Sequence, residues 1–201
     1  AIIDFRDPKE VKMAPDNLSP KLQERYINLP ISASTLSRMV SIKQINGDNI
    51  KSYEEVMEES YRMYINDHKK VWIKFFEILL RSNKRPIIFH CSAGKDRTGI
   101  ASFMIQSIFN NHIDKIFENY LISNDLLTIK AATAEQKTNS SKQDTQVTKN
   151  MLTTLGKVQT SYLNAAIDEI EKKYSSLENY FISQLGLKHN DIQKIKQIFG
   201  N

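Results

Sequence analysis

The stretch RPIIFHCSAGKDRTGIASFMIQ, residues 85–106, concentrates the residues of this chain that are capable of nucleophilic and anion-binding chemistry. Its Cys91 is the only cysteine in the sequence, so an internal disulfide is excluded. Arg97 follows after five intervening residues. A thiol can act as a nucleophile, and a guanidinium group can hold two phosphoryl oxygens at once. The spacing therefore predicts a ring around one tetrahedral anion, closed by Cys91 and Arg97.

The residues that position Cys91 predict a strand, a glycine-containing loop and a helix, in that order. PIIFH, residues 86–90, is a short apolar run typical of a strand covered on both faces, and residues 98–113 have a helical pattern. The backbone N–H groups of such a loop point at one spot, where the helix dipole adds about half a positive charge. This environment lowers a thiol pKa from about 8.5 to roughly 3.5–7.5. The loop is therefore predicted to bind phosphate and to favour a thiolate.

Other interpretations of this stretch are weaker. A lone cysteine is most often an inert buried residue, but the loop around it argues for a nucleophile. A nucleotide-binding P-loop needs Ser or Thr after Gly-Lys, whereas Asp96 follows Gly94 and Lys95. A sulfurtransferase also uses a cysteine loop, but the five-residue gap and the Arg-Thr-Gly ending favour phosphate. No cluster with metal-ligand spacing is evident, so neither a metal nor another cofactor is expected.

The composition restricts the class of protein and its partners. Hydrophobic residues make up 40% and charged residues 25% of the chain, as in an ordinary soluble globular protein. The net charge of +5 suits an anionic substrate and allows peripheral contact with an anionic membrane. No basic run with interleaved aromatics indicates nucleic acid, and neither a membrane span nor a signal peptide is evident. Both the cytoplasm and secretion as an effector into a reducing compartment remain open.

The remaining pattern alternates strands, loops and helices. The predicted elements are a strand at 1–6, a turn-rich charged stretch at 7–20, a strand at 24–32, a surface loop at 32–50, a helical zone at 52–82 begun by a Ser52–Glu55 capping box, and C-terminal helices at 158–174, 176–186 and 189–200. Ser176 and Asn190 are predicted caps, and Gly186 and Gly200 predicted stops. Polar residues 128–150, within a segment at about 126–160, are interpreted as a lid, a polar helix or disorder. This order predicts an α/β core with a helical annex, within one domain covering 1–201.

HCSAGKDRTG, residues 90–99, resembles the signature loop of cysteine-dependent protein tyrosine phosphatases. Its Lys95-Asp96 pair is similar to that of the atypical bacterial and fungal branch, which includes secreted virulence factors. IIDFRDPKE, residues 2–10, resembles that family's Asp-Leu-Arg strand and downstream Glu, and the helices before and after the loop also resemble theirs. The resemblance covers nearly the whole chain. It implies a phosphatase fold with a central, largely parallel sheet flanked by helices and a helical lid.

The resemblance also implies roles for individual residues. Cys91 matches the nucleophile and Arg97 the phosphate clamp. The implied phosphate-binding residues are Ser92, Ala93, Gly94, Lys95, Asp96 and Arg97. Residue types and positions alone, without the resemblance, lead us to expect that His90 supports the loop or tunes the thiol and that the Thr98 hydroxyl donates to the sulfur. Lys95 is interpreted as a substrate contact in preference to a solvated lysine.

Two departures from the family affect the prediction. The family's earlier segment with Asn-Phe-Arg-Asp and Arg-Ser elements is absent, and no acidic residue follows YINLP. The leaving oxygen needs a proton, so Asp96 is the candidate general acid. The alternative is that Asp96 only orients Arg97 or Lys95, with Asp4 and Asp16 as more distant candidates.

The function predicted from these residues is hydrolysis of phosphotyrosine monoesters through a phosphocysteine, with phosphoinositides as further substrates. The first alternative is a dedicated phosphoinositide or inositol-phosphate phosphatase, which Lys95 and the polar lid region favour. The second is a weakly active phosphate-binding pseudophosphatase, which the missing acid after Pro30 favours.

Overall fold

The computed structural model describes residues 1–32, 53–135 and 156–200, and the structural statements below concern these ranges. The strands are β1 (Ile2–Asp4), β2 (Tyr26–Asn28) and β3 (Ile88–His90), and the helices are α1 (Pro8–Met13), α2 (Pro20–Gln23), α3 (Tyr53–Asn66), α4 (Lys69–Arg81), α5 (Asp96–Ile108), α6 (Ile113–Glu135), α7 (Thr160–Tyr174), α8 (Leu177–Ser183) and α9 (His189–Phe199).

The described strands form one parallel sheet in the order β2-β1-β3. The parallel arrangement agrees with what the family resemblance implies. Ile3 in the middle strand pairs with Ile27 on one side and Phe89 on the other, and it is fully buried. The prediction that β3 is covered on both faces is wrong for Ile88, which is 62% exposed. β3 forms an edge of the described sheet, so its side chains have fewer neighbours than those of β1.

An aromatic cluster fixes the carboxyl ends of β1 and β3 against α4. The ring centroids of Phe5 and Phe89 lie 5.5 Å from that of Phe75, and Trp72 lies 5.6 Å from Phe5. The Trp72 indole N–H also donates to the Tyr64 carbonyl at 2.7 Å, which ties α4 to the end of α3. Since Cys91 directly follows β3, this cluster positions the loop that carries it.

Two predictions for the segments before the loop, one of turns and one of a helix, need correction. The charged stretch 7–20 contains α1 and the start of α2 instead of turns alone. The zone 52–82 is two helices, which break at residues 67 and 68 so that the apolar sides of both reach the core. Ser52, in the predicted capping box, and the predicted loop from residue 33 onward lie outside the described residues.

The helix after the loop begins and ends earlier than predicted. It starts at Asp96, with Lys95 as its N-cap, and ends at Ile108. Asn110 has a φ of 57°, which turns the chain before α6 begins at Ile113. The apolar pattern ran on to residue 113 because it merged two helices that pack on each other.

The C-terminal helices match the predicted annex. The Ser176 side chain accepts from the Asn179 N–H at 3.1 Å, so this cap is confirmed, and Gly200 is the C-cap of α9. Asn190 is not a cap because α9 already begins at His189. Of the predicted lid segment, residues through Glu135 continue α6, and 136–155 lie outside the described residues.

Candidate active site

Cys91 lies where the edge strand ends and the loop to α5 begins. It directly follows His90, the last residue of β3, and it is 6% exposed. The loop from Ser92 to Lys95 then leads into the N-terminus of α5. In open parallel sheets ligands bind outside the carboxyl ends of the strands, so Cys91 occupies the position expected of a functional residue.

The backbone of this loop forms a group of unpaired donors. The N–H groups of Ser92, Ala93 and Gly94 donate to no other described residue, and all three residues are exposed. Gly94 has a φ of 72°, a left-handed conformation that costs glycine little. Successive free N–H groups before a helix N-terminus form a concave anion site.

Arg97 is buried beside this loop with part of its guanidinium group committed to the protein. Its Nη1 lies 2.6 Å from Glu10 Oε2 and its Nη2 lies 2.7 Å from Glu10 Oε1. Nη1 also donates to the carbonyls of Phe5 and Ile31 at 3.2 and 3.1 Å. Nη2 has a second, longer contact with the Ser92 hydroxyl oxygen at 3.4 Å. The Nε–H donates to no described residue, so an anion can bind the Nε–Nη2 edge if one of its oxygens replaces that long contact.

Glu10 fixes the loop as well as the arginine. Its carboxylate accepts from the Ser92 hydroxyl and from the Asp7 N–H, the latter at 2.8 Å. Burial raises the pKa of Glu10, but the hydrogen bonds from Arg97 and Ser92 outweigh it, and the pKa falls to about 2. Glu10 is therefore ionised at neutral pH and compensates the charge of Arg97.

The position of Glu10 had a signal in the sequence that the prediction of turns ignored. Asp7 is followed by Pro8 and then by Glu10 at the third helical position, which is the pattern of a capping box with proline at the first position. The resemblance marked Glu10 only as the residue downstream of a strand. The contact with Arg97 joins residues 87 positions apart and has no local signature.

Lys95 and Asp96 form a close pair at the start of α5. Lys95 is 5% exposed, and its Nζ lies 3.3 Å from Asp96 Oδ2 and 3.3 Å from the Lys157 carbonyl. Asp96 Oδ1 accepts from the Tyr61 hydroxyl at 2.8 Å. A solvated lysine is therefore the wrong description of Lys95. The contact between Asp96 and Lys95 is expected if Asp96 only orients Lys95. The same contact is also compatible with Asp96 as the general acid.

Tyr61 belongs to a buried pair of hydroxyl groups. It is fully buried on α3, and its hydroxyl lies 2.6 Å from that of Tyr120 on α6. Burial raises the pKa of both phenols, and the negative charge of Asp96 raises them further, so both remain neutral donors. The sequence identified Tyr61 only as part of an apolar helix face.

Asp4 and Arg6 form a buried ion pair beneath the loop. Arg6 Nη2 lies 2.8 Å from Asp4 Oδ2, and the Tyr26 hydroxyl donates to the same oxygen at 2.7 Å. Burial raises the pKa of Asp4, but the hydrogen bonds from Arg6 and Tyr26 outweigh it and lower the pKa. Asp4 is fully buried and ionised, which makes it unsuitable as a general acid.

His90 connects this ion pair to the nucleophile. Its Nδ1 lies 3.2 Å from the Cys91 carbonyl, and its Nε2 lies 3.3 Å from Asp16 Oδ2. Asp16 also lies 2.8 Å from Arg6 Nη2. His90 and Asp16 are thus joined to the support of the strand end, in agreement with a scaffold role for His90.

Asp4, Asp16 and His90 form a cluster that the sequence did not reveal. One potential ligand atom from each lies within 4.8 Å of the others, although no metal-ligand spacing was recognised. The positive guanidinium of Arg6 contacts both carboxylates. Because a metal ion would have to compete with that charge, the cluster is better described as an ion-pair network.

The hydrogen bond predicted between Thr98 and the sulfur of Cys91 is not formed. Thr98 Oγ1 is buried and has no hydrogen-bond partner among the described residues. The helix begins at Asp96, so Thr98 lies in its first turn. Arg97, in contrast, is close enough to Cys91 for the sulfur to contribute to the raised pKa of its guanidinium group.

Comparison with known proteins agrees with this geometry. A family model described as the tyrosine phosphatase family matches residues 1–200. A Cupriavidus necator protein provisionally named a tyrosine-protein phosphatase is 25% identical over 179 residues, which cover 89% of this chain and 63% of that protein. The triple specificity protein phosphatase of Mycobacterium tuberculosis is 24% identical over 82% of this chain and 64% of its own length.

A further relative is named for a different substrate. The inositol diphosphatase of Saccharomyces cerevisiae is 32% identical over 71 residues, which cover 35% of this chain and 25% of that protein. The chain spans less than two thirds of the length of these relatives. Among the described helices, none combines the length and the apolar character needed to cross a bilayer.

Proposed function

Since this chain belongs to the tyrosine phosphatase family, we propose that it hydrolyses phosphotyrosine monoesters through a phosphocysteine at Cys91. The observation that carries the proposal is the position of Cys91 between the end of β3 and the loop that leads into α5. The unpaired N–H groups of Ser92, Ala93 and Gly94 follow Cys91 directly, and the buried Arg97 stands at the start of the helix that ends this loop. Such an arrangement binds a phosphoryl group and stabilises the charge that spreads over its oxygens during transfer.

Each residue of the loop has a role in the proposed reaction. The Cys91 thiolate attacks phosphorus, and the bond from phosphorus to the ester oxygen breaks. Asp96 gives its proton to that oxygen, so tyrosine leaves as the neutral phenol. Water then attacks the phosphocysteine, Asp96 takes a proton from it, and inorganic phosphate and the thiolate are released. Ser92 to Arg97 bind the phosphoryl oxygens, and Glu10 holds Arg97 in place.

Two substitutions test the nucleophile and the clamp. Cys91→Ser should abolish turnover of a phosphotyrosine peptide, and acid quenching of the unmutated protein with radiolabelled peptide should trap phosphate on Cys91. Arg97→Lys keeps the positive charge but removes the planar guanidinium group, which can bind two phosphoryl oxygens at once. It should lower kcat/KM on the order of 10²-fold. Arg81→Lys, at an exposed position of α4, is the matched control and should retain full activity. Full activity of Cys91→Ser would refute the proposal, and so would single turnover by the unmutated protein, which is expected of a phosphate-binding pseudophosphatase.

A second candidate is a dedicated inositol-phosphate or phosphoinositide phosphatase. The similarity to an inositol diphosphatase favours it, and the same loop chemistry serves both ester classes. Phosphotyrosine peptides, soluble inositol phosphates and phosphoinositide vesicles at equal concentration would separate the two. A higher kcat/KM for the peptide is expected, and a higher value for an inositol phosphate would favour the second candidate.

A further inference from the structure

The geometry around Asp96 points to Tyr61 as a positioning residue, which holds the carboxyl group of the general acid through Oδ1 and leaves Oδ2 to deliver the proton. This inference rests on the proposed function, in which Asp96 protonates the leaving oxygen. The Tyr61 hydroxyl donates to Asp96 Oδ1 at 2.8 Å from a side chain with no exposed surface. A fully buried ring has little freedom, so this hydrogen bond fixes the carboxyl plane.

Tyr120 determines in which direction Tyr61 donates. The two hydroxyl oxygens lie 2.6 Å apart, and each hydroxyl has one proton. When Tyr61 gives its proton to Asp96, its oxygen is an acceptor for the Tyr120 hydroxyl. The chain of bonds therefore runs from Tyr120 through Tyr61 to the carboxylate, and both buried hydroxyls are satisfied.

Close packing ties this pair to the turn that carries Asp96. Gly99, in the first turn of α5, leaves so little space that a Cβ there would lie 2.9 Å from Cε2 of Tyr120. The ring of Tyr61 packs edge-on against that of Tyr120, with centroids 6.4 Å apart. The two hydroxyl groups and the acid are thus packed together at the start of α5.

The charged and titratable groups around Asp96 leave Oδ2 for chemistry. Lys95 lies 3.3 Å from Oδ2, and Tyr64 and Tyr162 interact with Asp96 electrostatically from α3 and α7. Only Tyr61 and Lys95 contact the carboxyl group through its two oxygens in the described residues. The buried Lys95 ammonium is held by Asp96 Oδ2 and the Lys157 carbonyl, and a phosphoryl oxygen bound in the loop would compete with Oδ2 for it, which would leave Oδ2 to carry a proton.

The test uses two leaving groups that differ in their need for a proton. Phenolate is a poor leaving group that needs protonation, whereas p-nitrophenolate is stable enough to leave without it. Asp96→Asn should lower kcat for phenyl phosphate by about 10²-fold or more and that for p-nitrophenyl phosphate far less. Tyr61→Phe should lower kcat for phenyl phosphate by roughly 10-fold, with KM within about twofold and p-nitrophenyl phosphate within about threefold.

Tyr180→Phe is the matched control for the loss of a buried hydroxyl. Tyr180 is 1% exposed and donates to the carbonyl of Ile65 on α3 at 3.1 Å. Its hydroxyl makes no hydrogen bond to Asp96 among the described residues. The Tyr180→Phe variant should have a lower melting temperature than the native protein. Its ratio of kcat for phenyl phosphate to kcat for p-nitrophenyl phosphate should be unchanged. A Tyr61→Phe enzyme that loses both rates equally, or neither, overturns the inference.

The outcomes separate the inference from the proposed function. A leaving-group effect in Asp96→Asn but not in Tyr61→Phe overturns the role of Tyr61 alone, whereas no such effect in Asp96→Asn removes Asp96 as the acid and the inference with it. Activity of Cys91→Ser refutes the function itself.

If Tyr61→Phe does not fold, Tyr120→Phe decides, because it removes the proton that orients Tyr61. It should lower the phenyl phosphate rate about threefold, and an unchanged rate overturns the inference.

Discussion

Glu10→Gln removes one negative charge from beside Arg97 while it preserves the size of the side chain. The glutamine carbonyl can still accept from the Asp7 N–H, so the capping box of α1 is retained. What is lost is the ion pair at 2.6 and 2.7 Å with an arginine that is only 5% exposed. The substitution therefore tests the charge and not the helix cap.

Two independent magnitudes agree for this substitution. The pKa of Glu10 falls from an ordinary 4.5 to about 2, and that difference corresponds to about 3 kcal/mol of folding free energy at neutral pH. Removing one partner of a buried ion pair typically costs about 3–5 kcal/mol. The Glu10 side chain is 25% exposed, so the lower value is expected.

The pH dependence follows from the direction of the shift. The pKa is lowered in the folded protein, so the stabilisation is complete well above pH 4.5 and is lost as the pH falls toward about 2. The gap in unfolding free energy between the native protein and Glu10→Gln should be about 3 kcal/mol at neutral pH and about 2 kcal/mol near pH 3.5. Urea titrations followed by the fluorescence of Trp72, the only tryptophan, measure both values.

The control is Glu24→Gln, the same chemical change at an exposed position. It should alter the unfolding free energy by less than about 0.5 kcal/mol. A Glu10→Gln gap below about 1 kcal/mol at neutral pH, or one that does not narrow in acid, would refute the view that Glu10 is held ionised by Arg97.

Two further predictions concern packing and the ion pair under the loop. Gly99→Ala should destabilise the protein by about 1–3 kcal/mol, because its Cβ would lie 2.9 Å from Tyr120; a higher melting temperature, as helix propensity alone would give, would contradict this. Tyr26→Phe should cost about 1.5–3 kcal/mol near pH 8, because it removes a hydrogen bond to the Asp4 carboxylate. Burial and that hydrogen bond raise the pKa of Tyr26 to about 12, so its contribution is complete below about pH 10 and is lost as the pH rises toward 12. Urea titrations at increasing pH should show that the difference in unfolding free energy between the native protein and Tyr26→Phe decreases. A difference that persists above about pH 12 would count against a stabilising hydrogen bond from Tyr26 to Asp4.

Local patterns in the sequence were sufficient to predict the strand and the loop, and they also select Cys91 as the candidate nucleophile. Alternation and apolar runs reveal β1 and β3, and the glycine, arginine and cysteine of the loop lie within ten residues, so their relation is a matter of spacing. The ends of α5 were misjudged because apolar periodicity continues across the turn at Asn110 into a neighbouring helix. Periodicity reports which residues face a core, and it does not report where one helix stops and the next one starts.

Contacts between distant segments were decided only by the tertiary structure. Glu10 meets Arg97 across 87 residues, and Tyr61 meets Asp96 across 35, so neither pair leaves a spacing that can be read from the chain. Packing brings α1 and α3 to the same loop, and only then do a capping glutamate and a core tyrosine acquire partners. The choice of Cys91 as the candidate nucleophile thus rests on a local property of the sequence, whereas the charge balance and orientation around it depend on which elements the fold places side by side.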